Sequence, residues 1–250
     1  FIARKLKKRE ITLVTAQDPF ETGLIGLKIA RKLGVPLQVQ LHTDFASIYY
    51  GRQSLKNRLR ILIADYVIPK ANCIRVVSKR LQQDLINRYG LTKEPVILPI
   101  HLDIPVSLLS EHHRFLQSKY PQFGDIVVML SRLEPEKNVP MALRAFKEIL
   151  PQHPGTGFVI VGDGSMKPTL EKMVKQFDIQ EKIIFEGWAD NPIPYFLSAD
   201  LFLNTSNYEG YGRTLMEAAA AECPIVTTNV GIVGEVLTET NALVSPPQDF

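Results

Sequence analysis

The stretch "LFLNTSNYEGYGRTLMEAAAAECPIV", residues 201–226, decides the fold class, because an apolar strand, a turn, a helix and a second strand follow one another within it. The first strand is predicted at 200–205 and the second at 224–228, with Gly210 and Gly212 in the turn after the first. Short apolar runs that flank a helix are typical of a parallel βαβ unit. Because ligands bind beyond the carboxyl ends of such strands, we expect this turn to border a binding site.

The same alternation extends along the chain and predicts an α/β protein with parallel sheets. In the first part we predict strands at 11–16, 37–41, 73–78 and 95–100, and helices at 22–34, 55–71 and 79–90. In the second part we predict strands at 125–131, 157–162, 182–187, 200–205, 224–228 and 242–245, and helices at 139–150, 166–177, 192–198, 214–222 and 232–238. The polar segment 101–124 breaks this rhythm. We therefore predict two doubly wound domains, 1–108 and 109–250, of which the first is incomplete.

The composition is that of an ordinary soluble globular protein, with 45% hydrophobic and 22% charged residues. No apolar run approaches the roughly 18 residues of a membrane span, and no signal-peptide hydrophobic region follows the basic start. Cys73 and Cys223 match neither a metal-binding spacing nor a disulfide framework, so we expect a reducing, cytosolic setting. Because the chain lacks an initial Met and stops just after a strand-like run, we expect a longer parent protein.

Charge is distributed unevenly between the two predicted domains. Residues 1–108 contain 18 Lys and Arg against 8 Asp and Glu, a net charge of +10, whereas residues 109–250 carry −7. A basic half suggests an anionic partner, although a solvated basic surface explains the excess equally well. Nucleic acid is not expected, because no reading motif occurs and few aromatic residues are interleaved with the basic ones.

The motif "SRLEPEKN" follows the predicted strand 125–131 and supplies two cations. Arg132 and Lys137 lie beside a predicted helix start, with Asn138 as its expected N-cap. Two cations at a strand end near a helix N-terminus suit a phosphate or diphosphate group. Alternatively, the neighbouring acids Glu134 and Glu136 pair with these cations in an ordinary surface loop.

The motif "EGYGRTLME", residues 209–217, combines a glycine turn with a helix start. The first free N–H groups of this helix are expected near Arg213, Thr214 and Leu215, where they can hold a phosphate. Glu217 lies one turn inside the helix, where its carboxylate can accept hydrogen bonds from hydroxyl groups such as a ribose diol.

Both acids of this motif also have simpler interpretations. Glu217 can be an acid placed favourably near a helix N-terminus, and Glu209, which precedes the turn, can be an exposed loop residue. His42 follows the strand 37–41 and can bind a hydroxyl or donate to an oxyanion, although a lone histidine is more often structural. The glycines of "VGDGS" (161–165) lack a full dinucleotide fingerprint and suggest a simple turn.

The sequence resembles the retaining glycosyltransferases of family 4, also called glycosyl transferases group 1. The resemblance rests on "SRLEPEKN", "FVIVGDGS", "IIFEGW", residues 201–226 and "VGIVGEVL" in this order, and on the glutamate pair with seven residues between its members. It implies a GT-B fold, in which two Rossmann-like domains face a cleft and the C-terminal one binds a nucleotide-sugar.

The resemblance also implies roles for individual residues. Arg132 and Lys137 match the pair that binds the diphosphate, and the backbone of Gly212–Leu215 matches the start of the phosphate-binding helix. Glu217 matches the acid that holds the nucleotide ribose, and Glu209 matches the acid beside the donor sugar.

Three further positions match less distinctive parts of the pattern, and one departs from it. Gly187 and Trp188 fall where the family places its base-binding loop, and His42 matches a histidine near the transferred sugar. Glu222 replaces a glycine that usually closes the helix, so a turn with positive φ would strain it.

The implied function is transfer of a hexose from a UDP-, GDP- or ADP-sugar to an acceptor hydroxyl, with retention of anomeric configuration. Glu209, His42, Arg132 and Lys137 would be the catalytic residues, and no cofactor or catalytic metal is expected, in agreement with the missing D-x-D motif. Two alternatives remain open: a catalytically silent nucleotide-sugar-binding scaffold, and a sugar-nucleotide 2-epimerase on the same fold.

The expected acceptor is a glycan or a lipid-linked molecule of cell envelope polysaccharide or glycolipid biosynthesis. The basic first half suggests docking on an anionic membrane, so we expect a cytoplasmic protein that is peripheral on the inner face of the membrane. The donor base, the sugar and the oligomeric state are left open.

Overall fold

The computed structural model describes residues 10–102 and 114–247. The chain divides into two compact units, which are Phe1–Ile100 with Tyr208–Tyr211 and His101–Asn207 with Gly212–Phe250. The predicted domain boundary at 108 and 109 lies outside the described residues and stays a prediction.

The first unit contains a four-stranded parallel sheet with the order β1-β2-β3-β4. Its strands are β1 (Val14–Ala16), β2 (Leu37–Leu41), β3 (Cys73–Val76) and β4 (Val96–Ile97). Its α-helices are α1 (Glu21–Leu33), α2 (Ile48–Gln53), α3 (Leu55–Val67) and α4 (Lys79–Tyr89), and a 3-10 helix, Ile68–Lys70, follows α3. The predicted βα alternation of this part is therefore correct.

Local sequence signals fix the ends of these helices. Helix α3 begins after Ser54, whose hydroxyl accepts a hydrogen bond from the Asn57 N–H at 3.0 Å. Helix α1 ends at Gly34, which has a left-handed φ of 71° that glycine adopts without steric cost. A serine thus marks the start of α3, and a glycine marks the end of α1.

The second unit contains a six-stranded parallel sheet with the order β10-β9-β8-β5-β6-β7. Its strands are β5 (Ile126–Leu130), β6 (Gly157–Val161), β7 (Ile183–Gly187), β8 (Leu201–Asn204), β9 (Ile225–Thr228) and β10 (Leu243–Ser245). The chain runs outward from β5 through β6 and β7, and it then returns to the other side of β5 at β8. The carboxyl ends of β5 and β8 therefore form a topological switch point.

Helices cover this sheet on both faces, as expected for parallel strands. They are α5 (Phe115–Lys119), α6 (Val139–Ile149), α7 (Lys167–Phe177), α8 (Ile193–Ser198) and α9 (Arg213–Ala220), with the 3-10 helices Pro135–Lys137 and Gln180–Lys182. Val127 and Met129 pack in the cluster beneath α6 and α7, whereas Ile126 and Val128 pack in the cluster beneath α5 and α8. The alternation of β5 side chains thus builds two separate cores on one sheet.

One predicted helix is absent from the structure, and two short helices were missed. Residues 232–238 form turns rather than a helix, because Gly231 and Gly234 adopt φ values of 55° and 86° and the Gly234 N–H bonds to the Leu237 carbonyl at 2.7 Å. The short helices α2 and α5 were not predicted. With six and five residues, they contain too few turns for a helical period to be recognised in the sequence.

Candidate active site

The loops that follow β5 and β8 are joined by hydrogen bonds at the switch point of the second unit. The Thr205 hydroxyl donates to the carbonyl oxygens of Lys137 and Asn138, at 3.1 and 3.0 Å. The Asn207 N–H donates to the Glu136 carbonyl at 2.8 Å. These bonds hold the backbone of the loop 131–138 against the strand end that leads into the glycine turn.

Within the loop 131–138, one acid pairs with a predicted phosphate-binding cation. The Arg132 guanidinium lies 2.9 Å from the Glu136 carboxylate, and 63% of the Arg132 side chain is exposed. Glu134 instead accepts hydrogen bonds from the N–H and hydroxyl of Ser165, which lower the pKa of its carboxyl. The predicted alternative of local ion pairing is therefore present for Arg132, while its exposure leaves it accessible to an anion.

Asn138 lies at the start of α6 as predicted, but its side chain makes no capping hydrogen bond. Its backbone is left-handed, with a φ of 48°, and its amide donates to the Asn207 side-chain oxygen at 3.1 Å. The predicted N-cap position is therefore confirmed, but the Asn138 side chain joins the loops after β5 and β8 rather than capping the helix.

The glycines after β6 do more than form the simple turn that the sequence suggested. A Cβ atom at Gly162 would lie 1.9 Å from the Ser131 carbonyl oxygen, and one at Gly164 would lie 2.5 Å from the Leu133 carbonyl oxygen. The Gly162 N–H also donates to the Gly187 carbonyl at 2.7 Å. Because Gly162 and Gly164 have no side chains, the ends of strands β5, β6 and β7 can approach one another closely.

The predicted base-binding position lies at the end of β7. Gly187 has a φ of 82°, which redirects the chain, and Trp188 is 69% exposed. The Trp188 indole N–H donates to the Asp190 carboxylate at 3.2 Å. An exposed aromatic ring fixed in this way offers a flat apolar surface at the same sheet edge.

Helix α9 begins beside the switch point as the sequence predicted. Gly212 is its N-cap residue, with a φ of 87°, and a Cβ atom there would lie 2.9 Å from the Leu215 side chain. The Leu215 N–H already donates to the Gly212 carbonyl at 3.0 Å. The N–H groups of Arg213 and Thr214 precede that first helical bond and suit an anionic ligand.

Glu217 is a buried carboxyl group in the first turns of α9. It is 4% exposed and accepts a hydrogen bond from the Arg213 guanidinium at 2.8 Å, while the Arg213 side chain is 68% exposed. Burial raises the pKa of Glu217, and the Arg213 cation opposes that shift. At the other end of the helix, Glu222 has a φ of 56°, which agrees with the predicted need for a positive φ.

The first unit brings His42 and the loop that carries Glu209 together. A Cβ atom at Gly210 would lie 1.9 Å from the His42 carbonyl oxygen, and the Ser78 hydroxyl donates to the Gly210 carbonyl at 3.0 Å. His42 lies at the end of β2 with part of its side chain open to solvent; desolvation of the rest, and then the Arg75 charge, lower its pKa. Glu209, directly before Gly210, therefore belongs to the same compact unit as His42.

A ring contact and a hydrogen bond fix the residue before Glu209. The Tyr208 hydroxyl donates to the Gln53 side-chain oxygen at 2.6 Å. The Tyr208 ring meets the Tyr50 ring edge to face, with a centroid separation of 5.7 Å. The loop 208–211 is thus positioned by packing as well as by its glycine.

Sequence reasoning missed Asp44, two residues beyond His42. Asp44 is 7% exposed, and its carboxylate accepts a hydrogen bond from the Ser47 N–H at 3.0 Å. Burial, and then the negative charge of Asp84, raise the pKa of Asp44 to about 6. Its position after a strand end was the available signal, but an acid in a polar loop ordinarily indicates an exposed residue.

The predicted site residues therefore fall into two groups. Arg132, Lys137, Gly212–Leu215 and Glu217 lie in the loops and the helix that follow β5 and β8, and Gly187 and Trp188 lie at the same sheet edge beyond β7. Glu209 and His42 lie in the first unit. The catalytic and binding roles of these residues stay predictions.

The two parallel sheets, each with helices packed against it, define an α/β protein of the GT-B fold. The family description Glycosyl transferases group 1 matches residues 115–249, and Glycosyltransferase Family 4 matches residues 1–99. The chain belongs to the glycosyl transferases group 1 family.

Two relatives carry the name alpha-monoglucosyldiacylglycerol synthase. The protein of Acholeplasma laidlawii is 28% identical over 238 residues, a match that covers 89% of this chain and 60% of the relative. The protein of Streptococcus pneumoniae is 25% identical over 232 residues, with 88% of this chain and 52% of the relative covered. The chain thus spans between half and two thirds of the length of these relatives.

Solved structures confirm the fold class. Anabaena Alr3699/HepE in complex with UDP matches 99% of this chain and 68% of its own, with a TM-score of 0.76 and 19% identity. Sucrose-phosphate synthase of Thermosynechococcus elongatus matches 99% of this chain and 64% of its own, with a TM-score of 0.80 and 19% identity. The predicted α/β fold of GT-B type is therefore correct.

Proposed function

We propose that the complete protein transfers a hexose from a nucleotide-diphosphate-sugar to an acceptor hydroxyl, with retention of anomeric configuration. The observation that carries this proposal is the switch point of the second sheet. There, the cations of the β5 loop and the N-terminus of α9 follow two adjacent strands. A switch point is where open parallel sheets bind nucleotides, and donors of this kind suit a diphosphate.

The second unit would bind the donor and stabilise its leaving group. When the anomeric C–O bond breaks, its electron pair passes to the diphosphate, whose extra negative charge Arg132, Lys137 and the α9 N–H groups would stabilise. A preorganised donor of this type contributes roughly 3–4 kcal/mol to the stability of a transition state. Glu217 would accept hydrogen bonds from the ribose hydroxyls, with Arg213 turning aside or bridging to the phosphate.

The first unit would contact the transferred sugar and the acceptor. Glu209 would orient the sugar hydroxyls and stabilise the positive charge that develops at the anomeric carbon, and His42 would hydrogen-bond the sugar. The acceptor oxygen forms its new bond on the face that the diphosphate leaves, and the acceptor proton passes to the departing phosphate oxygen. No metal or organic cofactor takes part in this scheme.

The names of similar proteins support the choice of donor and acceptor. Alr3699/HepE was solved with UDP and with UDP-glucose, and the two relatives are named for a glucosylated diacylglycerol. We therefore propose a UDP-sugar as the first donor to test, before GDP- and ADP-sugars, and a lipid-linked or glycan acceptor. The proposed location is the cytoplasmic face of a membrane.

Turnover of the complete protein with UDP-, GDP- and ADP-sugars tests the proposal, with the product configuration read by NMR and chelator present in a parallel reaction. We expect one donor class to be consumed, a retained anomeric configuration and no effect of the chelator. Glu209→Gln should reduce kcat by about a hundredfold or more, because the charge that faces the developing cation is lost.

Glu239→Gln is the matched control, since Glu239 is an exposed acid in a turn of the same half of the chain. It should keep the wild-type rate. Nucleotide binding without turnover by any donor would indicate the silent scaffold instead, and equal rates in both variants would contradict the role of Glu209.

A further inference from the structure

The loop Tyr208–Tyr211, which carries Glu209, belongs to the first unit, although the chain on either side of it belongs to the second. A residue distant in sequence holds this loop. The Ser78 hydroxyl donates a hydrogen bond to the Gly210 carbonyl at 3.0 Å, and both residues are buried. Because a buried carbonyl that loses its partner is costly, this single bond constrains the backbone directly after Glu209.

Ser78 makes this bond with the one hydrogen of its hydroxyl group. The hydroxyl oxygen accepts the Leu81 N–H at 3.4 Å and so caps the start of α4. Ser54 caps α3 in the same way at 3.0 Å, but among the described residues its hydroxyl makes no bond to the loop 208–211. Ser78 therefore combines a capping role, which Ser54 shares, with an anchoring role, which Ser54 lacks.

Two further contacts fix the neighbours of Glu209. A Cβ atom at Gly210 would lie 1.9 Å from the His42 carbonyl oxygen, so the loop backbone touches the end of β2. Before Glu209, the Tyr208 hydroxyl donates to the Gln53 side-chain oxygen at 2.6 Å, and Tyr208 is 8% exposed. Glu209 thus lies between two neighbours that the first unit anchors.

The position of this acid matters for the proposed chemistry. A carboxylate that stabilises a developing positive charge is effective only where that charge forms, and a displacement of about 1 Å can reduce a rate about a hundredfold. A loop that alternates between conformations would present Glu209 correctly for only part of the time. Contacts that remove this freedom therefore contribute to kcat without touching the substrate.

We propose that Ser78 is a positioning residue, which holds Glu209 in place through the Gly210 carbonyl. The bond between Tyr208 and Gln53 acts on the same loop from the other side of the acid. The groups proposed to bind the diphosphate belong to the second unit, so loss of either anchor should lower the rate of transfer but not nucleotide affinity. The inference deepens the proposed function and rests on it for the role of Glu209.

Transfer kinetics of the complete protein test this role. Ser78→Ala and Tyr208→Phe each remove one anchor, and the second substitution keeps the aromatic ring. With the donor that the wild type consumes, each should reduce kcat by about threefold to tenfold and change the Kd of the nucleoside diphosphate by less than about twofold. In a Glu209→Gln background, neither should reduce kcat further, because the group that they position has already been removed.

A merely structural effect gives a different result, since loss of folded protein lowers activity by the same factor in both backgrounds. Ser54→Ala, which removes a helix cap alone, should keep the wild-type kcat. Gln53→Leu should reduce kcat as Tyr208→Phe does, and Gln53→Glu, which retains an acceptor oxygen, should restore most of that rate. Tyr208→Phe and Gln53→Leu give the same test if Ser78→Ala does not fold.

Proteolysis reads the loop without any turnover. An endopeptidase that cuts after glutamate reaches the bond between Glu209 and Gly210 only when the loop opens. Loss of the Ser78 hydrogen bond should increase cleavage at this bond by about threefold to tenfold, because a larger fraction of the molecules is open. Cleavage after Glu239, an exposed acid in a turn of the second unit, is the internal reference and should not change.

Equal cleavage after Glu209 in the wild type and in Ser78→Ala would overturn the inference, whether or not a donor is consumed. So would a loss of kcat that persists unchanged in the Glu209→Gln background. A wild type that consumes no donor would contradict the proposed transferase function instead, and the cleavage ratio would still show whether Ser78 holds the loop.

Discussion

At the scale of single residues, the buried carboxyl of Asp44 is the group whose environment departs most from what its sequence position suggested. Asp44 lies two residues beyond His42, accepts a hydrogen bond from the Ser47 N–H, and is affected by the charge of Asp84 on α4. Its folded pKa of about 6 lies above the ordinary value of 3.8, because burial disfavours the charged form. Ionisation of Asp44 near neutral pH therefore destabilises the folded state.

The sign of this linkage gives a prediction. A raised folded pKa stabilises the protein fully below 3.8, and that contribution is lost as pH rises through about 6. Asp44→Asn keeps an oxygen for the Ser47 N–H but cannot ionise. We expect it to raise the free energy of unfolding at neutral pH by about 1–3 kcal/mol and to flatten its dependence on pH across this window.

Urea unfolding of wild type and Asp44→Asn at several pH values measures this difference. Asp125→Asn, at an exposed aspartate for which neutralisation should have little effect, is the control. A variant whose stability follows the wild-type pH curve in parallel would show that Asp44 does not cause the dependence.

At the scale of elements, the second unit holds its site loops together by close backbone approaches. Gly162 lies under the Ser131 carbonyl with a φ of 131°, a conformation that side chains with Cβ rarely adopt. Gly162→Ala should therefore reduce the free energy of unfolding by about 1–3 kcal/mol, because the loops after β5 and β6 must separate. Denaturant unfolding measures the loss.

Gly155→Ala is the matched control for this substitution. A Cβ atom at Gly155 meets no atom within 4 Å, and its φ is not in the positive range. We expect its stability to stay close to that of the wild type. A Gly162→Ala variant as stable as Gly155→Ala would contradict the close approach.

Sequence patterns identified most strands and helices because short apolar runs alternate with amphipathic segments along the chain, and many of these runs are bounded by a glycine, a proline or a serine. The patterns failed where only a few residues determine the local structure. Two glycines with positive φ make 232–238 a series of turns instead of a helix, and α2 is too short to show a helical period. The positions of Arg132 and Glu217 followed from strand ends. The ion pair of Arg132 with Glu136 was predicted as an alternative, whereas that of Glu217 with Arg213 was not, because the Arg213 side chain could equally have pointed to solvent.

At the scale of the whole molecule, the chain joins a basic part, residues 1–108, to an acidic part, residues 109–250. The family description matches the second part, and its companion Glycosyltransferase Family 4 matches the first. The net charges of +10 and −7 follow this division closely. Excess positive charge in the first part agrees with the predicted docking on an anionic membrane, and in the second part Arg132 and Lys137 lie in the loop after β5.

Nucleotide binding by the complete protein tests the central claim most directly, since the claim is that the switch point of the second sheet holds the diphosphate. Calorimetric titration with UDP, and with GDP and ADP if UDP does not bind, compares wild type with Lys137→Ala and with Lys172→Ala on the exposed face of α7. We predict that Lys137→Ala binds about tenfold to a hundredfold more weakly, because a charge-assisted phosphate contact is lost, and that Lys172→Ala binds as the wild type does. Equal affinities of all three proteins, or no binding of any nucleoside diphosphate, would contradict it.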